Sequence, residues 1–167
     1  MDLSVTKDVF PLATVFTISR GSRTEAQVLT VQVKDGDFTG WGECVPYARY
    51  DETLESVTNQ IEDLPQNLKR LDLFDQLPAG AARNAVDCAL WDLEAKQAGK
   101  RVWELAGLSA PSPEITAYTL SLDTPEKMQA QAAKNAFRPL LKIKLGTAED
   151  MVRLEAVRRG APCQNYC

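Results

Sequence analysis

The sequence predicts an α+β unit followed by the start of a parallel β/α arrangement, and three observations carry that prediction. Residues 9–44 read as three strands separated by short turns. Residues 79–98 carry an apolar stripe at helical spacing. Past a linker, Ser109-Ala110-Pro111-Ser112-Pro113, the order changes to strand, helix, strand, helix.

Taken in order, Val9 to Ser19 is rich in β-branched and aromatic residues and reads as a strand with an irregularity at Pro11. Arg20-Gly21-Ser22-Arg23-Thr24 reads as a polar loop, either a solvated turn or a mobile loop reaching over an anionic ligand. In the next strand, Glu25 to Lys34, Leu29, Val31 and Val33 alternate with Thr30 and Gln32. Asp35-Gly36 signals a hairpin. In the third strand, Phe38 to Cys44, Gly40 and Gly42 flank Trp41, which suggests a close backbone approach. A loop with Tyr47, Arg49 and Tyr50 follows, and Asp51 is placed to cap a helix carrying Leu54, Val57, Ile61 and Leu64, stopped by Pro65.

The helix over Ala79–Ala98 buries Ala82, Val86, Ala89, Leu90 and Leu93, with Gly99 as its stop and Arg83–Asp87 as an i,i+4 pair on the wet side. Small residues on this stripe allow a close approach to the meander. A short helical turn spans 102–107. After the linker, Ile115 to Leu122 is a strand, and a helix from Thr124-Pro125 runs to about Phe137. The strand Leu140 to Leu145 follows, and Thr147 caps a helix from Ala148 to about Arg159.

Bulk properties narrow the function classes. The 167 residues are 44% hydrophobic and 25% charged, enough for a real core. Net charge is −4 with no basic cluster, which argues against nucleic acid as a partner. No run approaches a membrane span, and Met1-Asp2-Leu3-Ser4 lacks signal-peptide form, so the cytoplasm is the default. Cys44, Cys88, Cys163 and Cys167 have no zinc spacing and read as buried or free thiols. With no histidine in the chain, acid–base work falls to Lys, Asp, Glu, Tyr or Cys.

Lys142 and Lys144 stand out. Alternation puts both on one strand face, opposite Leu141, Ile143 and Leu145. Like charges at close range favour loss of a proton, and a lysine of lowered pKa is a usable general base. The competing reading is a solvated edge strand whose lysines resist pairing.

Three stretches resemble one family. Val86-Asp87-Cys88-Ala89-Leu90-Trp91-Asp92-Leu93-Glu94-Ala95-Lys96, with Gly99 and Val102-Trp103-Glu104-Leu105, resembles the capping-domain helix of the enolase superfamily in its muconate-lactonising branch. Gly40-Trp41-Gly42-Glu43-Cys44-Val45-Pro46 is similar to that branch's third strand, and Lys142-Ile143-Lys144 to its Lys-x-Lys motif on the second barrel strand. The dipeptide epimerases of this branch, which interconvert L-Ala-D-Glu and L-Ala-L-Glu or related dipeptides, are the nearest match.

The resemblance implies a fold, an activity and roles. Residues 1–112 would be the capping domain, 113–160 the first two β/α units of a TIM-type (β/α) barrel, and 161–167 an atypical tail. Lys144 would remove the α-proton beside a carboxylate. Lys142 would lower its partner's pKa and touch that carboxylate. Thr119 resembles the family's substrate-contacting threonine, although an ordinary strand threonine would look the same. Arg23 and Tyr50, on two cap loops, are further substrate contacts. The enolate formed would be a dianion needing a divalent metal, so Mg²⁺ is the implied cofactor. The partner would be a small dipeptide, with no nucleic acid or membrane involved, and a homo-oligomer is compatible. Other readings are another enzyme of the branch (a cycloisomerase, an o-succinylbenzoate synthase or an N-acylamino acid racemase) or a non-catalytic cap-domain module.

The sequence also departs from the family. A complete barrel takes about 250 residues, and the 55 after Ser112 allow roughly two of eight β/α units. The family's acidic metal ligands and second lysine lie on later strands, so no metal ligand is assigned in this chain. The ending suggests a truncation or frameshift, with an inactive, self-associating product.

Overall fold

The computed structural model describes residues 1–162 and the backbone of 165–166. The chain divides into two units: Met1–Phe10 with Gln27–Pro111, and Pro11–Ala26 with the residues from Ser112 onward. The linear reading did not foresee that residues 11–26 would group with the second unit.

The first unit is built on a three-stranded sheet ordered β1-β2-β3, with β1 at Asp2–Ile18, β2 at Gly21–Asp35 and β3 at Phe38–Cys44. β1 begins seven residues before the expected Val9, because Leu3 and Val5 alternate inward and pack on the core. It passes through Pro11 without a break. As an outer strand it tolerates the missing donor. The Arg20–Thr24 loop is also corrected: the turn is confined to residues 19–20, and Arg23 lies on β2.

β2 and β3 pair antiparallel from Leu29↔Cys44 to Asp35↔Phe38, closed by Gly36 and Asp37. Gly36 takes a φ of 57°, the left-handed conformation a tight hairpin requires.

Helix α1 (Leu54–Glu62) buries Val57 and Ile61. Its cap is Thr53, not Asp51: the Thr53 hydroxyl accepts from Ser56 N, and the Ser56 hydroxyl accepts from Thr53 N. Asp51 instead sits at φ 58° after the short 3-10 turn Ala48–Tyr50. Helix α2 is Leu73–Gln76, α3 is Ala81–Ala98 and α4 is Val102–Leu105.

α3 buries the whole predicted stripe against β3. A Cβ on Gly40 would lie 2.0 Å from the Ala89 carbonyl oxygen, and one on Gly42 would lie 2.0 Å from that of Ala85. The glycines are there because helix backbone occupies their side-chain space. The expected Arg83–Asp87 pair is absent among the described ion pairs. Arg83 donates to the Leu77 carbonyl and stacks 5.3 Å from the Phe74 ring. Asp87 Oδ1 is buried with no hydrogen-bond partner.

In the second unit, β4 (Tyr118–Leu120), β5 (Leu140–Ile143) and β6 (Asn165–Tyr166) form a parallel sheet in that order. β4 is shorter than the expected Ile115–Leu122. A short third parallel strand, β6, stands where the sequence suggested only an atypical tail. Cys163 and Cys167 lie outside the described residues. Helix α5 (Pro125–Lys134) starts at the Thr124 cap with Pro125 in its first turn. It ends before Phe137, which is 78% exposed. Helix α6 spans Asp150–Gly160, so Thr147 is not its cap. Leu120, Leu122, Met128, Ala132, Leu141, Val157 and Ala161 form the core under the sheet.

Candidate active site

The parallel register places Thr119 opposite Lys142, and Leu120 opposite Ile143. Leu120 and Leu141 are fully buried in the core. By alternation Thr119 and Lys142 take the other face, at adjacent positions of neighbouring strands. Lys142 is exposed. Lys144 comes just after the last residue of β5 and is half-buried, so the structure gives the two lysines different surroundings.

The segment after Lys144 is held firmly. The Asp150 carboxylate accepts from Gly146 N at 2.7 Å, from Thr147 N at 3.1 Å and from the Thr147 hydroxyl. Partial desolvation would raise the Asp150 pKa, but these donors and Arg153 outweigh it and hold it below the usual carboxylate range. Arg153 in turn donates to the Asp123 carbonyl at 2.7 Å and to the Glu149 carboxylate at 3.1 Å, and its other nitrogen reaches the Thr147 hydroxyl. Gly146 has a φ of 135°, and a Cβ there would meet Ser19 at 2.8 Å. Thus α6 and the turn at Ser19 fix the chain leaving Lys144.

Thr119 and Arg23 line one cleft of about 400 Å³, together with Thr14, Phe16, Glu25 and Tyr118. Arg23 and Glu25 are two residues apart on β2, so one strand face brings both charges to the cleft. Ser121 and Leu122, just after β4, tie the end of β1 to it: the Ser121 hydroxyl accepts from Thr17 N at 2.7 Å, and Leu122 N donates to the Thr17 carbonyl at 3.0 Å. Behind the cleft wall, the Arg138 guanidinium stacks 4.0 Å from the Tyr118 ring and donates to Asn135 Oδ1 at 3.0 Å. Thr14, Phe16 and Glu25 escaped the sequence reading. The period-2 pattern of β2 carries the signal for Glu25 beside Arg23, but only once residues 20–24 are read as strand.

Tyr50 belongs to the first unit and is 72% exposed. It lines a cleft of about 610 Å³ with Glu43, Cys44, Tyr47, Glu52 and Asn84. The Tyr47 and Tyr50 ring centroids are 5.9 Å apart at an interplanar angle of 45°. Glu52 accepts from Tyr47 N at 3.1 Å and from Ala81 N, at the start of α3, at 2.6 Å. Burial, with the charges of Glu52 and Glu43, pushes the Cys44 thiol up to about 11.

Among the described residues no three His, Cys, Asp or Glu side chains gather to hold a metal ion. No described helix is long and apolar enough to cross a membrane. What the second unit does offer is two amines at a strand end, a hydroxyl beside them and a guanidinium in a cleft. Amines can move a proton, and a guanidinium can pair with a carboxylate.

Residues 1–107 match the mandelate racemase / muconate lactonizing enzyme N-terminal domain. The L-Ala-D/L-Glu epimerase of Escherichia coli is 42% identical over 96% of this chain and 52% of its own length. The N-acetyl-D-glutamate racemase of Pseudoalteromonas is 41% identical over 83% of this chain and 46% of its own. The chain therefore spans about half the length of the curated relatives it matches. A solved enolase-family protein from Agrobacterium tumefaciens, with homology to dipeptide epimerases and with bound sodium and L-Ala-L-Glu, superposes with a TM-score of 0.93 at 53% identity, over 98% of this chain and 52% of its own. A dipeptide epimerase from Enterococcus faecalis, solved with Mg and L-Leu-L-Tyr, superposes with a TM-score of 0.81 at 26% identity, over 95% of this chain and 49% of its own. With its sheet, its α3–β3 packing and its first 107 residues all in accord, the chain belongs to the mandelate racemase / muconate lactonizing enzyme family of the enolase superfamily.

Proposed function

We propose that the chain is the lysine-bearing part of an epimerase that inverts the α-carbon of an N-acylated glutamate, with an L-Ala-Glu dipeptide as substrate. The observation that carries this reading is the parallel pairing of Thr119 with Lys142 beside the half-buried Lys144. The relatives named as epimerase and racemase support it.

In this reading the Lys144 amine takes the α-proton, and the electron pair left behind spreads into the adjacent carboxylate. Lys142 sits beside that carboxylate as its positive partner, and the Thr119 hydroxyl donates to it. Arg23 pairs with the glutamate side-chain carboxylate in its cleft, which selects acidic over apolar residues. Tyr50 is a further substrate contact on the first unit, and the setting is cytoplasmic. Inversion needs a second base on the opposite face, and we place it in the half of the relatives' length that this chain does not span. Mg²⁺ is the cofactor this reading expects. The described residues supply no ligand set for it, so no step is derived through it. The 167 residues by themselves should therefore turn over nothing.

The test is exchange of the substrate α-proton with deuterated solvent, using the longest protein expressed from the source. L-Ala-L-Glu should exchange, and Lys144→Ala should slow this by about 10²–10⁴-fold, the usual contribution of a positioned base. Unchanged exchange in Lys144→Ala would remove the assignment.

The Pseudoalteromonas relative favours a second reading, an N-acylamino acid racemase. Both substrates carry an α-proton between an amide nitrogen and a carboxylate. They differ in the ammonium that only the dipeptide bears, so N-acetyl-L-glutamate in the same assay separates them.

A further inference from the structure

We propose that Arg153 is a positioning residue for the Lys144 amine, a strut between the loops that leave β4 and β5. The proposal rests on the reading of Lys144 as the base, and goes beyond it by naming what sets that amine's place.

Helix stability does not account for Arg153. It stands in the first turn of α6, where the free N–H groups favour a negative charge over a positive one. Its side chain is only 12% exposed, and holding a guanidinium out of water costs free energy unless its donors are met. They are met by the loops. Nε donates to the Asp123 carbonyl at 2.7 Å, between β4 and α5. One terminal nitrogen donates to the Thr147 hydroxyl, between β5 and α6. The other donates to the Glu149 carboxylate at 3.1 Å. A planar guanidinium has fixed donor directions, so these bonds hold the two loops at a set spacing.

What precedes each loop gives that spacing its use. β4 carries Thr119, and β5 leads directly into Lys144. Thr147, which Arg153 grips, follows Lys144 by three residues. The Asp150 carboxylate takes the intervening Gly146 N at 2.7 Å and Thr147 N at 3.1 Å. Gly146 has a φ of 135°, and Ser19 leaves no room for a Cβ there. The backbone leaving Lys144 is therefore held by α6, by the Asp123 loop through Arg153, and by Ser19. Only seven buried residues form the core under the sheet, so polar contacts carry more of this placement. A base must lie within hydrogen-bond reach of the proton it takes, and a displacement of about 1 Å can cost about 100-fold in rate. Loss of the strut should therefore change turnover and not affinity.

The experiment is α-proton exchange of L-Ala-L-Glu in deuterated solvent over a range of concentrations, with the longest protein expressed from the source and its variants. Arg153→Met should lower kcat by about 10–100-fold and leave KM within about threefold. Arg153→Lys should not rescue, because one ammonium cannot span both loops. Thr147→Val removes the hydroxyl at one end of the strut. It should lower kcat several-fold at an unchanged melting temperature, since Thr147 is exposed, so the test stands even where Arg153→Met folds poorly. In a Lys144→Ala background Arg153→Met should add less than about twofold, because its effect passes through the missing amine. A purely structural arginine would instead lower the melting temperature and act equally in both backgrounds. Unchanged kcat in Arg153→Met and Thr147→Val, a rise in KM alone, or full additivity with Lys144→Ala would overturn the proposal. Should Lys144→Ala exchange at the parent rate, the base assignment fails and the strut with it. Should it slow while the Arg153 and Thr147 variants do not, the strut alone fails.

Discussion

Cys44 shows how a single side chain reports its surroundings. It is 6% exposed, and burial, then Glu52, then Glu43 raise its thiol from 9.0 to about 11. The folded state thus keeps a proton that the unfolded state loses. Below pH 9 both states hold the proton and the contribution to stability is fully present. As pH rises from about 9 to about 11 only the unfolded thiol ionises, so stability falls across that window. The urea midpoint should drop more steeply over this range than that of Cys44→Ala; parallel curves would contradict the burial argument. At mildly alkaline pH, iodoacetamide should modify the exposed Cys88 well before Cys44, as read by peptide mass spectrometry. The four-cysteine count gave no hint of this difference, because neighbours on other elements set it. The lysines were easier to read, since their period-2 spacing is itself the signal. Lys142's neighbour Thr119 could be named only by resemblance, because strand register is a long-range property. Asp51 was mistaken for a cap because Asp and Thr share that chemistry. The choice fell to Thr53, which has Ser56 three residues on to complete the reciprocal pair.

Among elements, the α3–β3 contact was the most legible. Glycines flanking Trp41 and alanines on the α3 stripe each called for a close approach, and the structure brings them together. Gly42→Ala should therefore cost about 1–3 kcal/mol or more, since the new Cβ meets helix backbone and not a side chain that can rotate away. Urea unfolding of the variant checks this. A midpoint equal to the parent's would mean α3 can shift freely on β3. Element ends were harder to read. β4 was expected over Ile115–Leu122, yet strand pairing spans only Tyr118–Leu120, leaving Ile115 64% exposed. Local β-propensity marks an apolar run, but pairing needs a partner at each position. The same reasoning explains Arg20–Thr24. Gly21 and polar neighbours look like a loop, whereas β2 already begins at Gly21 and runs through Arg23 and Thr24.

At the scale of the whole chain, the switch of architecture at the Ser109–Pro113 linker was legible from composition. The grouping of residues 11–26 with the second unit was not, since alternation along a strand does not say what each end packs on. The two units differ in core size: sixteen buried residues cluster in the first and seven in the second, among the described residues. Burial is the main favourable term in folding, so the smaller core should open at lower free energy. It also exposes large apolar side chains, Met151 at 67% and Val152 at 51% on α6 and Phe137 at 78% after α5. Where such side chains gather into a patch, it associates with its like unless covered. For the 167-residue chain, hydrogen exchange should be at least about tenfold faster in β4, β5 and α6 than in α3. Light scattering should show mass rising with concentration, and Met151→Glu with Val152→Glu should reduce that rise, because charge on the face opposes its burial. Uniform exchange protection and a concentration-independent monomer would show that the second unit is stable as it stands.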